Sequence, residues 1–266
     1  QHRELNILKH NLRRERMLSE RVIGKKAWVT GAAHGIGRAS AWALAEAGAD
    51  VAISDINEKG LEETAEYIRK LGRKALVLPA DITKESEIEE TINTIVDKWG
   101  KLDIAYCNAG TFQDIPAEDM PLDAFERDIK VNMTGALISS RVAGKAMIKQ
   151  KRGSIILTAS MSGHIVNIPQ CQCAYNSSKA GVILLGKSLA IEWAKHGIRV
   201  NTVSPGYIRT WSDEPLKPEE VGQSNFEQWT PLKRFGAASE IAGIIVYLAS
   251  EESSFVTGSD FVVDGG

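Results

Sequence analysis

A strand-like run, a glycine-rich turn and an Ala-rich segment follow one another early in this chain. The run covers residues 25–30, the turn reads TGAAHGIG at 30–37, and the Ala-rich segment ends at Gly48, a residue suited to a helix C-terminus. A strand that leads through glycines into a helix directs backbone N–H groups and the positive end of the helix toward one point. The order therefore predicts a pyrophosphate-binding turn; the alternative is a tight turn in which small residues serve packing.

Strand-like and helix-like segments alternate along the rest of the chain. This alternation predicts an α/β fold: a single doubly wound, Rossmann-type parallel sheet of about seven strands with helices on both faces. The predicted strands are 26–30, 50–54, 75–79, 102–107, 153–159, 198–204 and 259–263. The predicted helices are 36–47, 58–71, 85–99, 122–150, 174–196 and 237–250.

Composition limits the function classes. A chain of 266 residues, 43% hydrophobic and 25% charged, can bury the core of one domain. A formal net charge of −2 gives no reason to expect nucleic acid or an anionic membrane as partner. No apolar run approaches the roughly 18 residues of a membrane span. Cys107, Cys171 and Cys173 form no disulfide framework and have no histidine cluster beside them, so we expect a reducing compartment, the cytoplasm, and no metal.

Residues 1–23 differ from the remainder, which we treat as one domain over 24–266. This N-terminal segment is basic and Arg-rich, with leucines at helical spacing, as in a targeting peptide, but it also carries acidic residues. We expect a basic arm that packs on the domain or on a neighbouring subunit; a targeting segment and a disordered tail are the alternatives.

Tyr175 and Lys179 form a pair in a predicted helix. Residues four apart lie on one helix face, so the ammonium can sit beneath the phenol. A nearby cation favours the phenolate and would lower the pKa of the tyrosine toward neutrality. A tyrosine in that state can exchange a proton with an alcohol or a carbonyl.

Four landmarks together resemble the short-chain dehydrogenase/reductase family over residues 24–266. They are the glycine turn at 30–37, Asn108-Ala109-Gly110, Ser160 with Tyr175 and Lys179, and Ser204-Pro205-Gly206. The resemblance implies an NAD(P)-dependent oxidoreductase that interconverts a secondary alcohol and a ketone by hydride transfer, without a metal. It also implies a homotetramer, through the helices at 122–150 and 174–196 and the chain end at 261–266.

The resemblance assigns the catalytic roles. Tyr175 is the general acid/base, Lys179 lowers its pKa and binds the nicotinamide ribose, and Ser160 holds the substrate oxygen. Ser162 is the alternative to Ser160, because the spacing to the tyrosine is two residues longer than expected. Asn132, an unfavourable residue within a helix, is implied to open that helix to a water that leads from Lys179.

The resemblance also assigns the cofactor contacts. They are Gly31, His34, Gly35, Ile36, Gly37, Asp55, Asp81, Ile82, Asn108, Ala109, Gly110, Tyr175, Lys179, Pro205, Gly206, Ile208 and Thr210. Asp81 serves equally well as a helix N-cap. For the segment after Gly206, backbone contacts from Tyr207 or Ile208 are expected.

Asp55, at the end of the second strand, bears on the choice of cofactor. A carboxylate there accepts hydrogen bonds from the ribose hydroxyls and repels a 2′-phosphate, which favours NAD. His34 stands where NADP-dependent relatives often have a basic residue, so NADP stays open.

The stretch after Ser160 resembles the polyol dehydrogenases and ketose reductases of the family. Ser162, His164, Gln170 and Asn176, together with Asn167, are neutral hydrogen-bonding groups that a hydroxyl-rich small molecule would satisfy. The alternative for His164 and Asn167 is bonding within their own loop. A Pro-rich segment near 207–232 is expected to cover the substrate.

Two other functions compete with a polyol dehydrogenase. A 3-oxoacyl thioester reductase shares the motifs, but it would need a basic patch at the mouth of the site. A nucleotide-binding scaffold that has lost catalysis should show decay at the serine, the tyrosine or the lysine, and all three are present.

Overall fold

The structure is a computed structural model that describes residues 20–210 and 225–266. Predictions for residues 1–19 and 211–224 lie outside the described residues. The described end of the predicted arm packs on the domain. Val22 is buried in the core and its N–H donates to the Ala47 carbonyl, while Arg21 forms an ion pair with Glu252.

Seven strands form one fully parallel sheet in the order β3-β2-β1-β4-β5-β6-β9. Their bounds are β1 Lys26–Thr30, β2 Asp50–Ser54, β3 Ala75–Val77, β4 Ile104–Cys107, β5 Gly153–Thr158, β6 Ile198–Pro205 and β9 Asp260–Val263. Two short strands that the sequence did not predict, β7 Ile208–Arg209 and β8 Gly236–Ala237, pair separately. The predicted fold class and the seven predicted strands are confirmed.

The helices lie on both faces of the sheet. They are α1 Gly35–Glu46, α2 Glu58–Lys70, α3 Glu85–Trp99, α4 Leu122–Ile129, α5 Gly135–Gln150, α6 Cys173–Trp193, α7 Asn225–Trp229 and α8 Ala238–Ala249. Gly48 has φ of +104° just beyond α1, as predicted for the residue after a helix end. No helix among the described residues is long and apolar enough to cross a membrane.

The alternation of side chains along the central strands builds a core on each face of the sheet. On β1, Ala27 and Val29 pack on the face covered by α1 and α8, and Trp28 packs on the face covered by α3 and α5. Since both faces are covered, the strands are apolar on both sides, which is typical of parallel sheets.

One predicted helix is interrupted. The sequence pattern predicted a continuous helix at 122–150, but Lys130–Thr134 forms a π-helical turn between α4 and α5. Asn132 lies in this turn, so its predicted role of opening the helix agrees with the local geometry. Widened turns of this kind are common at functional sites.

Candidate active site

A cleft of about 900 Å³ runs along the carboxyl ends of the strands. The strand order changes direction between β1 and β4, and parallel sheets bind ligands at such a point. Many of the residues predicted to contact the cofactor line this cleft: Gly31, His34, Gly35, Ile36, Asp55, Asp81, Ile82, Asn108, Ala109, Gly110, Tyr175, Lys179 and Thr210.

The glycine turn has the backbone shape that an anion site needs. Gly31 and Gly35 have φ of +66° and +55°, a conformation that side chains disfavour. α1 begins at Gly35 and has no acidic residue in its first turn, so its N-terminus favours negative charge. Gly37 does not line the cleft; a Cβ there would lie 2.0 Å from the Gly31 carbonyl oxygen, so it is required for packing of the turn.

Two of the residues predicted to contact the adenosine half of the cofactor are carboxylates that line the cleft. Asp55 accepts hydrogen bonds from the N–H groups of Ala33 and Asn57, at 3.1 and 3.0 Å, which orients its carboxylate at the end of β2. Asp81 accepts from the N–H and the hydroxyl of Thr83, so it caps a turn while it also lines the cleft. With the glycine turn, these groups fit an adenine dinucleotide.

The Asn108 segment is fastened to the glycine turn. Thr30 Oγ1 accepts hydrogen bonds from the N–H groups of Asn108 and Ala109, and Asn108 donates to the Thr30 and Gly31 carbonyls. A Cβ on Gly31 would lie 2.8 Å from Ala109 Cα. The segment thus has a structural role in addition to its predicted contact with the cofactor.

Ser160 is the serine beside Tyr175. It is buried two residues after β5, and its proximity lowers the pKa of the Tyr175 phenol. Its Oγ also accepts a hydrogen bond from the Ser162 N–H at 3.1 Å. The Ser162 hydroxyl instead donates to Asn167, so the geometry favours Ser160 over the alternative that the spacing left open.

Lys179 and Tyr175 are neighbours on one face of α6. Lys179 Nζ lies 5.6 Å from the centroid of the Tyr175 ring and donates a hydrogen bond to the Thr158 carbonyl at 2.8 Å. The Phe112 ring packs edge-on against the phenol on its other side, with 6.1 Å between centroids. The tyrosine and the lysine therefore share one end of the cleft.

Asn132 connects the π-helical turn to both sides of this end. Its amide oxygen accepts from the Thr111 N–H at 2.8 Å, and its amide nitrogen donates to the Thr111 carbonyl and to Ser178 Oγ. A Cβ on Gly110 would lie 2.9 Å from Asn132 Oδ1 and 3.4 Å from Lys179 Nζ, so the three residues converge.

Without a bound cofactor, the pKa of Tyr175 is not lowered in the way that was expected from the nearby Lys179. Burial raises the pKa of Tyr175 above its ordinary value; the hydrogen bond with Ser160 offsets part of the rise, and the charge of Asp128 adds to it. Burial also lowers the pKa of Lys179 to about 8. The prediction of an acidified phenol neglected desolvation, which disfavours the charged form of both groups.

The four residues predicted to bind the substrate do not line the described part of the cleft. His164 Nε2 lies 2.7 Å from Asp260 Oδ2, and Ser162 and Gln170 are bonded to other side chains. Asn176 Oδ1 is buried and has no partner among the described residues. His164 and Asn167 therefore bond to protein groups, but only the bond from Ser162 to Asn167 lies within their own loop, as the alternative expected; Asp260 and Tyr207 are distant in sequence. The substrate contacts stay predictions.

Of the residues near the end of β6 that were predicted to contact the cofactor, only some line the cleft. Thr210 lines the cleft, with its Cβ 3.0 Å from the position that a Cβ on Gly35 would take. Pro205 ends β6, and Ile208 pairs with Gly236 in the β7–β8 ladder. Gly206 is needed for packing, since a Cβ there would lie 2.5 Å from Asp264 Cβ.

Several residues of the site were not predicted. Thr158 supplies the carbonyl that holds Lys179, and its hydroxyl oxygen lies 2.8 Å from the Tyr106 hydroxyl and 3.2 Å from Asn108 Oδ1. Tyr106 is fully buried in β4, and a tyrosine within an apolar strand is a signal that its hydroxyl needs a partner. The sequence around Phe112 and Asp128 has no comparable pattern that would predict their interactions with Tyr175.

Fold and cleft together are those of a dinucleotide-dependent oxidoreductase. A family model described as enoyl-(acyl carrier protein) reductase matches residues 31–266. The probable NADP-dependent mannitol dehydrogenase of Yarrowia lipolytica is 44% identical over 91% of this chain and 87% of its own length. Sorbose reductase SOU1 of Candida albicans is 43% identical over 91% and 86%. D-arabinitol 2-dehydrogenase of Scheffersomyces stipitis is 39% identical over 92% and 94%.

A solved structure agrees with these relatives. A short-chain type dehydrogenase/reductase from Mycobacterium marinum superposes with a TM-score of 0.88 at 44% identity, over 94% of this chain and 98% of that one. The chain belongs to the short-chain dehydrogenase/reductase family. It is an NAD(P)-dependent enzyme of the alcohol dehydrogenase and ketoreductase type.

Proposed function

We propose that this enzyme interconverts a sugar alcohol and the corresponding ketose. The observation that carries the reaction type is the meeting of the Tyr175 phenol, the Ser160 hydroxyl and the Lys179 ammonium at one end of a dinucleotide cleft. The names of the relatives, a mannitol dehydrogenase, a sorbose reductase and an arabinitol dehydrogenase, support the substrate class.

The side chains divide the work of the reaction. Tyr175 takes the hydroxyl proton of the alcohol in oxidation and returns it to the carbonyl oxygen in reduction. Ser160 donates a hydrogen bond to the same oxygen as its charge develops. Lys179, held by Thr158, would favour the ionised phenol while it is protonated, in opposition to the burial that raises the pKa of Tyr175. A bound nicotinamide supplies the hydride acceptor or donor, which is the difficult part of the chemistry.

An absorbance screen at 340 nm tests this function. The panel contains polyols, secondary alcohols, ketoses and a 3-oxoacyl thioester, each with NAD(H) and NADP(H). We expect turnover with polyols and ketoses at least 10-fold above that with the other substrates. Preference for the thioester would replace the proposal with an acyl reductase, and cofactor binding without any turnover would indicate a catalytically silent scaffold.

We propose NAD as the preferred cofactor. The support is Asp55, whose carboxylate is fixed at the end of β2 by two backbone N–H groups and would repel a 2′-phosphate. The mannitol dehydrogenase relatives are named as NADP-dependent, so this choice separates the chain from them.

The ratio of kcat/KM for the two cofactors tests the choice. We expect at least a 10-fold preference for NAD, and a smaller or reversed preference in Asp55→Ser, since each 1.4 kcal/mol changes the ratio about tenfold. Asp97→Ser, which removes a carboxylate exposed on α3, should leave the ratio unchanged. A native preference for NADP would refute the proposal.

We also propose a homotetramer that works in the cytoplasm. Apolar side chains stand exposed on the two long helices: Leu137 on α5, and Leu184 and Ile191 on α6, the last two 66% and 81% accessible. The three cysteines are free, which suits a reducing compartment. Light scattering tests the assembly, and a monomer at micromolar concentration would refute it. Cell fractionation tests the location.

A further inference from the structure

A chain of side-chain hydrogen bonds crosses the loop between β5 and α6. Gln172 donates to Ser162 at 3.3 Å, and Ser162 donates to Asn167 at 3.1 Å. Asn167 then donates to the Tyr207 hydroxyl at 3.1 Å, and Tyr207 donates to Gln170 at 2.9 Å. Four members belong to the loop at 160–172, and Tyr207 comes from the segment that follows β6.

Three of the four loop members of this chain are shielded from water. Ser162, Asn167 and Gln172 are each about 95% inaccessible, with 5%, 6% and 5% exposure. A buried polar group that loses its partner keeps its full cost of desolvation. The conformation of the loop thus depends on the hydroxyl of Tyr207, which satisfies Asn167 and Gln170 at once.

Tyr207 is itself held by the residues around it. Its ring packs against Phe226 of α7, with 4.6 Å between centroids, and edge-on against Phe235 at 6.3 Å. The preceding residue, Gly206, donates its N–H to the Val263 carbonyl at 3.0 Å. The phenol therefore joins the loop to the predicted substrate-covering segment at 207–232.

The same loop begins at Ser160. The Ser162 N–H donates to Ser160 Oγ, so one member of the hydrogen-bond chain lies a single contact away from Ser160, which lowers the pKa of Tyr175. A second anchor, between His164 and Asp260, ties the loop to β9. Loss of the hydrogen bonds to the Tyr207 hydroxyl should therefore loosen the loop without unfolding the domain.

We propose that Tyr207 is a positioning residue for the substrate: its hydroxyl fixes the β5–α6 loop in the conformation that receives the substrate beside Ser160. This inference rests on the proposed function. It assigns to Tyr207 a side-chain role in addition to the expected backbone contact with the cofactor.

Tyr207→Phe in the full-length protein tests the role. We expect KM for the polyol or ketose to rise about 10-fold, kcat to fall less than about 3-fold, and the Kd of the cofactor to stay within about 2-fold. Amide hydrogen exchange of peptides from 160–172 should accelerate at the same time. Tyr67→Phe is the matched control, because it removes a tyrosine hydroxyl that bonds to Glu46 at the surface.

A second variant covers the case in which Tyr207→Phe folds poorly. Gln170→Ala removes one acceptor on a half-buried side chain and should raise KM in the same direction by a smaller factor. In the double variant with Tyr207→Phe, the loss of apparent binding free energy calculated from KM should be smaller than the sum of the losses in the two single variants.

The outcomes separate this inference from the proposed function. An unchanged KM with unchanged exchange in the loop would overturn the role of Tyr207, as would a matching loss of cofactor affinity. If no substrate of the panel is turned over, the proposed function fails, and the exchange measurement alone decides the role: acceleration in Tyr207→Phe supports it, and its absence overturns it.

Discussion

Lys179 donates its side-chain hydrogen bond to the backbone carbonyl of Thr158 at 2.8 Å. This contact ties α6 to the end of β5, and it sets the ammonium one helical turn from Tyr175. Because the acceptor is a main-chain group, the position of Lys179 depends on the strand and not on the side chain at 158. The spacing on α6 thus brings Tyr175 and Lys179 together, and the end of β5 fixes the ammonium.

The phenol should be essential for turnover. Tyr175→Phe removes the proton-transfer group and should lower kcat by about 10²–10⁴-fold. The Kd of the cofactor should change little, because the ring and its packing on Phe112 are retained. Steady-state kinetics and a fluorescence titration measure the two quantities, with Tyr67→Phe as control. Equal turnover in Tyr175→Phe would remove the tyrosine from the mechanism.

Asp128 should control the ionisation of Tyr175. This carboxylate is fully buried on α4 and contributes to the raised pKa of the phenol. Removal of its negative charge in Asp128→Asn favours the phenolate, so the pKa of Tyr175 should fall. Phenolate absorbance near 295 nm, measured against Tyr175→Phe and without added cofactor, should appear at lower pH in Asp128→Asn. An unchanged titration would show that the carboxylate is screened.

Two glycines in helices should respond oppositely to alanine. A Cβ at Gly37 would lie 2.0 Å from the Gly31 carbonyl, whereas a Cβ at Gly243 in α8 has no atom within 4 Å. Gly37→Ala should abolish cofactor binding or unfold the turn, at a cost of at least about 2 kcal/mol. Gly243→Ala should stabilise the protein by up to about 1 kcal/mol. Thermal unfolding and cofactor titration measure both effects, and similar behaviour of the two variants would contradict the close contact.

The start of α8 should lose stability in acid. Hydrogen bonds from Arg234 and from the Ala237 N–H lower the pKa of Glu240 to about 2. A carboxylate whose pKa falls on folding stabilises the protein above its ordinary pKa, and this stabilisation fades as the pH drops from about 4.5 toward 2. Since the pair is half exposed, Glu240→Gln should cost less than about 1 kcal/mol at pH 7.

Chemical unfolding at pH 7 and at pH 3 checks this expectation. The difference between Glu240→Gln and the parent should shrink at the lower pH. Glu62→Gln removes the carboxylate of another exposed ion pair, with Arg69, and serves as control. A difference that grows in acid would contradict the assignment.

Local patterns in the sequence were enough to predict the strands of the sheet, the glycine turn and the Tyr175–Lys179 pair. The glycine turn, the strand ends and the i, i+4 pair are each encoded within a few neighbouring residues, so Gly31, Tyr175 and Lys179 were found where the structure has them. Gly48 was likewise predicted from its place after an Ala-rich segment.

Other features depend on contacts between distant segments. Asn167 was expected to meet a substrate, but its amide bonds to Tyr207, 40 residues later. The raised pKa of Tyr175 follows from burial, which the spacing to Lys179 does not reveal. Nor does the sequence around Asn132 specify how far the π-helical turn extends, because that is set by its bonds to Thr111 and Ser178.

The pairing of Ile208 with Gly236 has a consequence for the evolution of such enzymes. The pairing holds Ile208 and Gly236 side by side, so the two ends of the connection between these strands are fixed. Exchange or lengthening of the residues between Thr210 and Asn225 then carries only a small entropic penalty. Substitutions in this segment, which the sequence predicts to cover the substrate, should therefore change the substrate preference without disturbing Ser160, Tyr175 or Lys179.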